Sequence, residues 1–186
     1  MNKKQLRELV KQMKTTMSNE DIVVLTHKML GHFTSLSFAG IKTIHIFLPI
    51  SEKKEPDTFL FIDWLRLNHP EIDIIVPRAD FDTSLMTHVV YEGTESLVKN
   101  IFNILEPQSG TLHTGDVDLV LIPMLAFDKR GYRVGYGKGF YDRFLQNIET
   151  NKIGLCLFEP TADIDDVNEF DVKLDACITP LGVHRF

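Results

Sequence analysis

Only two cysteines occur in the 186 residues, Cys156 and Cys177, each inside an apolar run. No CxxC or Cys/His pair stands at ligand spacing, which excludes a thiolate metal site and leaves two buried, reduced thiols acting as small hydrophobes. An excess of positive charge is also missing. Twenty Lys and Arg against 26 Asp and Glu give a net charge of −6, which argues against the basic face of a general nucleic-acid binder. Small anions stay open as ligands, since a few local cations suffice for them. No stretch approaches the ~18 uninterrupted apolar residues that a membrane span needs. The N-terminus MNKKQLRELVKQMK is charged and amphipathic, without the apolar centre of a signal peptide. A cytoplasmic protein with no membrane partner is expected. The seven histidines (His27, His32, His45, His69, His88, His113 and His184) show no HxxxH or HxH spacing and read as structural or solvent residues. No nucleophilic triad stands out.

The remaining composition, 44% hydrophobic and 25% charged, is that of an ordinary globular chain, and its length suits one domain over residues 1–186. Leu6, Leu9, Val10 and Met13 recur at helical spacing within residues 3–16. Ser18 followed by Asp21 reads as the capped start of a second helix over 19–36, with Ile22, Leu25, Met29, Leu30 and Phe33 on one face. A helix over 58–68 turns Phe59, Ile62, Leu65 and Trp64 inward, and another covers 139–148. Short, nearly all-apolar segments at 43–49, 73–77, 86–91, 118–123, 153–157 and 174–179 read as strands. Helices alternating with such strands predict an α/β fold: a mostly parallel, Rossmann-like sheet with helices on both faces, in three layers.

In such sheets ligands bind beyond the carboxyl ends of the strands. The segment leaving the strand at 118–123 is PMLAFDKRGYRVGYGKGFYDR. Gly135, Gly137 and Gly139 at alternate positions free the backbone to turn N–H groups toward one point and let a ligand approach closely. A helix start follows, and Arg130, Arg133, Lys138 and Arg143 add four cations within fourteen residues, so the segment reads as a phosphate site. It is not a GxxxxGK[ST] loop. Asp142, one turn into the helix, reads either as a Mg²⁺ ligand between protein and phosphate or as a carboxylate favouring the helix dipole.

The run IPMLAFDKRGYRVGYGKGFYDRFL, residues 122–145, resembles the signature of the 5-formyltetrahydrofolate cyclo-ligase (methenyltetrahydrofolate synthetase) family. Similar short segments follow in family order: Lys3-Lys-Gln-Leu-Arg7, Phe47-Leu-Pro-Ile-Ser, Glu55-Pro-Asp-Thr58, Pro77, Met86, Glu106-Pro107, Asp171, Leu174-Asp175 and Ile178-Thr179. The resemblance implies ATP- and Mg²⁺-dependent closure of 5-formyltetrahydrofolate to 5,10-methenyltetrahydrofolate with release of ADP and phosphate. A monomer is expected, acting on a folate with or without a polyglutamate tail.

On the matched positions, the resemblance puts Lys3 and Arg7 on the ATP phosphates. Arg133, Gly135, Tyr136, Gly137, Lys138, Gly139, Phe140 and Tyr141 form the nucleotide loop. Glu55, Met86 and Tyr141 face the folate, and Asp142 with Asp171 holds the metal. Read without the family, Lys3 and Arg7 suit a solvated helix face, Glu55 a helix start, Met86 the core, and Phe140 and Tyr141 core or ring stacking equally. The chain departs from the family pattern at Glu159-Pro160, where a Gln is expected, and at Val167 and Phe170, where Pro and His are expected. Two other readings remain: a sugar-phosphate isomerase with Glu55 or Asp142 as base, and a nucleotide- or folate-binding module without turnover.

Overall fold

The computed structural model describes residues 1–101 and 103–186. Its centre is an eight-stranded sheet. In chain order the strands used here are β1 (Thr43–His45), β2 (Asp73–Asp80), β3 (Leu85–Val90), β4 (Leu97–Lys99), β5 (Leu105–Pro107), β6 (Leu112–His113), β7 (Leu119–Pro123), β8 (Ala126–Phe127), β9 (Arg133–Val134), β10 (Asn151–Leu155), β11 (Ala176–Ile178) and β12 (Val183–Arg185). The sheet order is β12-β11-β10-β7-β1-β2-β3-β6. The strands from β11 through β2 are parallel, and β12, β3 and β6 add antiparallel edges. The expected mostly parallel α/β sheet is what forms.

Alternation along the strands builds two cores. Ile44, Ile74, Val76, Leu119, Leu121, Ile153 and Ile178 face one way, under helices α2 (Asn19–Phe33) and α3 (Phe59–Asn68). Ile75, Val120, Ile122 and Cys177 face the other way, with Leu145 of α4 (Phe140–Leu145). Each fully buried aliphatic or phenyl side chain contributes about 1.5–3 kcal/mol. Helix α2 starts where its cap predicts: Ser18 and Asp21 exchange side-chain-to-backbone hydrogen bonds. Helix α3 buries Phe61, Ile62 and Leu65, leaving Phe59 and Trp64 only partly covered.

Helix α1 (Lys3–Thr15) is rotated from the expected stripe. Leu6, Val10 and Lys14 are buried, while Leu9 and Met13 are 39% and 41% exposed. The inner face therefore runs at i, i+4, i+8, and the flank beside it carries Lys3 and Arg7 toward the sheet's carboxyl edge. Helix α4 is also shorter than the expected 139–148, with six residues and Gly139 as an N-cap without a side-chain bond. A helix of that length supplies little dipole, so any anion affinity of this segment must come from the loop and its cations.

Candidate active site

A cavity of about 210 Å³ opens at the carboxyl edge of the sheet, where Phe47 and Leu48 leave β1 and where Pro77 and Pro123 lie on β2 and β7. Lys3, Arg7, Glu55, Met86, Arg133, Gly135, Tyr136, Gly137, Lys138, Gly139, Phe140, Tyr141, Asp142 and Asp171 all line it. The parallel topology brings these distant segments to one place.

The glycine loop is rooted in the β8–β9 hairpin, whose turn is organised by a residue the sequence reading passed over. Asp128 is fully buried, and its carboxylate accepts the backbone N–H groups of Arg130, Tyr132 and Ile164. Burial raises its pKa, but these bonds and the Arg130 side chain outweigh that and lower it. Beyond the hairpin, Gly137 has φ +91 and Gly139 φ +72, the left-handed region that favours glycine. A Cβ on Gly137 would sit 3.3 Å from the Arg7 guanidinium. At Gly135 the backbone is ordinary and the space beside it open, so this glycine offers room for a ligand and not a special turn.

Of the four cations expected at the loop, two are directed elsewhere. Arg130 pairs with Asp128 at 2.7 Å and reaches the Ile164 carbonyl. Arg143 donates to the Lys138 carbonyl and lies over Gly139. Arg133 and Lys138 line the cavity. Arg133 is itself committed, with Nη2 donating to Asp142 Oδ1 at 2.6 Å and Nη1 to the Val172 carbonyl. Burial lowers its pKa, and Asp142 pulls it back up. Arg7 donates Nε to the Gly135 carbonyl at 2.8 Å.

The carboxylates fare unequally. Both oxygens of Asp171 accept Lys3 Nζ, at 2.6 and 2.5 Å, and one also accepts Asn168 N–H. Asp171 is thus ion-paired with Lys3, and both residues line the cavity. Asp142, which lines the cavity, uses Oδ1 for both Arg133 and Val172 N–H. Among the described residues no group of three or more His, Cys, Asp or Glu is arranged to hold a metal. One carboxylate with phosphate and water ligands is a common Mg²⁺ arrangement in nucleotide sites, and Asp142 fits it.

Glu55 is 6% exposed and accepts Ile50 N–H at 2.8 Å. Burial pushes its pKa up, against Tyr136, the Ile50 bond and the nearby Lys14 and Lys53 charges. The Tyr136 hydroxyl forms no hydrogen bond of good geometry, yet its pKa rises through burial and the neighbouring Glu55. Lys14, missed in the sequence reading, is buried behind Glu55 with Nζ on the Lys53 carbonyl. Lys53, also missed, lines the cavity with Nζ 4.3 Å above the Tyr136 ring. In the sequence both lysines look like ordinary surface charge. Phe140 meets Phe81 edge-on at 5.3 Å. Tyr141 packs edge-on at 5.7 Å against His45, a fully buried histidine on β1. Tyr141 therefore belongs to both the core and the cavity wall. At the departures from the family pattern, Glu159 pairs with His184 at 3.1 Å and Phe170 is 63% exposed.

The pattern of the 5-formyltetrahydrofolate cyclo-ligase family matches residues 1–180. The chain is 29% identical over 191 residues to the 5-formyltetrahydrofolate cyclo-ligase of Mus musculus, covering 93% of this chain and 91% of the mouse chain. Its fold is similar to the NMR structure of Aquifex aeolicus 5,10-methenyltetrahydrofolate synthetase, with a TM-score of 0.78 and 28% identity over 100% of this chain and 93% of that one. It is also similar to a 5,10-methenyltetrahydrofolate synthetase from Mycoplasma pneumoniae, with a TM-score of 0.73 and 27% identity over 96% and 98% of the two chains. With the signature loop, the matching order of segments and the whole fold in agreement, this chain belongs to the 5-formyltetrahydrofolate cyclo-ligase family.

Proposed function

We propose that this chain converts 5-formyltetrahydrofolate to 5,10-methenyltetrahydrofolate using ATP, in the cavity at the carboxyl edge of the sheet. The observation that carries the reading is the joining of two unlike halves in one cavity. The glycine loop with Arg7 and Lys138 offers cations and open backbone to a polyphosphate. The same cavity is lined by the buried Glu55 and by Phe47, Leu48 and Met86, and apolar walls with a buried carboxylate suit a flat ring bearing amide and amine N–H groups.

A formamide oxygen is a poor leaving group. Transfer of the γ-phosphoryl group to that oxygen releases ADP and makes the formyl carbon electrophilic. The N10 amine then bonds to this carbon and loses its proton, and the C–O bond breaks to release phosphate. Such chemistry asks the protein for positioning and charge stabilisation. Arg7, steadied on the Gly135 carbonyl, and Lys138 hold the phosphates. Glu55 orients the pteridine, and Tyr141 and Met86 wall the ring. Lys3, fixed by Asp171, sets the far edge of the phosphate half, and Arg133 holds Asp142 in place. Asp142 would hold a Mg²⁺ ion, which would screen this carboxylate from the phosphates.

On this reading the protein acts as a monomer with a single domain over residues 1–186. Both cysteines are free and buried, consistent with a reducing, cytoplasmic setting. Among the described residues no helix is long and apolar enough to cross a membrane. The test follows near-ultraviolet absorbance of the methenyl product from 5-formyltetrahydrofolate and Mg²⁺, with and without ATP. A rise only with ATP is expected. A folded protein that gives none is not this enzyme.

A further inference from the structure

The cavity wall contains a carboxylate oxygen with no hydrogen-bond partner. Glu106 lies on β5, which pairs with β4 in a two-stranded ribbon with Val98 opposite Glu106. Its side chain lines this cavity and also the groove beside it, where Arg78, Asp80, Thr83 and Asn100 stand. Glu106 Oε2 is buried and has no hydrogen-bond partner. No ion pair joins Glu106 to Arg78, the one cation lining that groove among the described residues.

A buried acceptor left unpaired costs free energy, more so when it is charged. Replacing Glu106 by an apolar residue would remove that cost, so the unpartnered oxygen finds no reason within the protein for a carboxylate here. A ligand would. We propose that Glu106 is a second substrate-recognition carboxylate, accepting a hydrogen bond from an N–H of the aminobenzoylglutamate part of the folate. This rests on the reading above, in which Glu55 takes the pteridine. The segment beyond the pteridine then runs from the cavity toward the groove, through the junction that Glu106 shares with Ala79, Phe81 and Met86. A carboxylate there accepts and repels other carboxylates, so it selects the N–H donors of this segment and not its acidic tail. Asp80 and Asp82 on the groove add to that repulsion.

The test compares Glu106→Leu and Glu106→Gln with the parent by unliganded thermal unfolding, separate equilibrium titrations with 5-formyltetrahydrofolate and ATP, and steady-state kinetics. Glu106→Leu is expected to be at least as stable as the parent. Its folate Kd and KM should rise at least about tenfold, the weight of one hydrogen bond to a charged group, while its ATP Kd and its kcat at saturating folate stay near the parent's. Glu106→Gln keeps an acceptor oxygen and should fall between. A loss of stability with unchanged folate affinity would make Glu106 a structural residue and overturn the proposal. Weakened ATP binding in place of folate binding, or a fall in kcat alone, would overturn it equally. A parent that binds no 5-formyltetrahydrofolate would remove both this inference and the reading it rests on, and is distinguished by the parent titration itself.

Discussion

Arg133 Nη2 and Asp142 Oδ1 meet at 2.6 Å on the cavity wall, and the arginine side chain is only 6% exposed. From the sequence alone, Asp142→Asn should spare folding and remove a metal ligand. The ion pair changes that expectation, because the variant leaves a buried guanidinium without its counter-charge. Asp142 is itself a third exposed, so the cost is about 1–2 kcal/mol, below that of a fully buried pair. In a domain of this size that lowers Tm by about 3–6 °C. Turnover should fall far more than the loss of folded protein explains, and the fall should be steepest at limiting Mg²⁺. A calorimetric scan beside a Mg²⁺ titration of the rate separates the two effects. Unchanged turnover at limiting Mg²⁺ would remove the metal assignment.

Gly137 and Gly135 should behave differently although they belong to one GxGxG run. At Gly137 a side chain meets both a left-handed backbone and the Arg7 guanidinium. Gly137→Val should therefore cost about 1–2 kcal/mol and raise the KM for ATP by about tenfold or more. Gly135→Ala meets neither obstacle, and its unliganded stability should match the parent's. If its ATP affinity also matches, the phosphates do not approach the backbone at Gly135. ATP titrations of the two folded variants make the comparison.

Glu55 should lower stability while serving the substrate. Burial holds its folded-state pKa above the ordinary 4.5, so the native state binds the proton more tightly than the unfolded chain does. Stability from this group is greatest below that unfolded value and declines as pH rises through the folded one. Glu55→Gln keeps an oxygen for the Ile50 N–H and removes the buried charge. Its Tm should exceed the parent's at pH 7–8, with the gain shrinking toward pH 4.5, while folate binding weakens. A gain that is the same at every pH would mean that the carboxylate is not the cause.

What the sequence reveals is what local chemistry decides. The α2 cap is complete within Ser18 to Asp21, and the apolar run of β7 needs no partner to be recognised. The glycine loop is legible for the same reason. Arg130 and Arg133 are not distinguishable in this way. Buried Asp128, held by Ile164 from a distant loop, turns one aside, and Asp142 with Val172 fixes the other. The stripe of α1 misleads because packing against β8 and β9 selects Leu6 and Val10, while the stem of Lys14 takes a place that periodicity gives to Met13. Glu106 is visible in the sequence only within the matched Glu106-Pro107 segment, since its burial depends on a ribbon that leans on β2. The pairing of Asp171 with Lys3 is not legible locally, because α1 brings the lysine from the other end of the chain.

The histidines beneath α4 give a last prediction, with the opposite pH sign to Glu55. His45 is fully buried on β1, and His88 on β3 lies 5.1 Å from it and 4.2 Å from Phe144. Burial and the facing His113 push His88 down to about 4, and burial with His88 pushes His45 well below its ordinary 6.5. Both rings are neutral in the native state, while the unfolded chain takes up protons below pH 6.5. The unfolded state then binds more protons, so stability falls as the solution is acidified from 6.5 toward 4. Each ring contributes a slope of at most about 1.4 kcal/mol per pH unit, less for the partly exposed His88. His88→Phe retains the ring contact with Phe144 and has no proton to bind. Its stability, read by denaturant unfolding between pH 4 and 7, should decline less steeply than the parent's and converge with it above pH 7. Parallel slopes would show that His88 is protonated equally in both states, and that α4 does not seal the cluster from water.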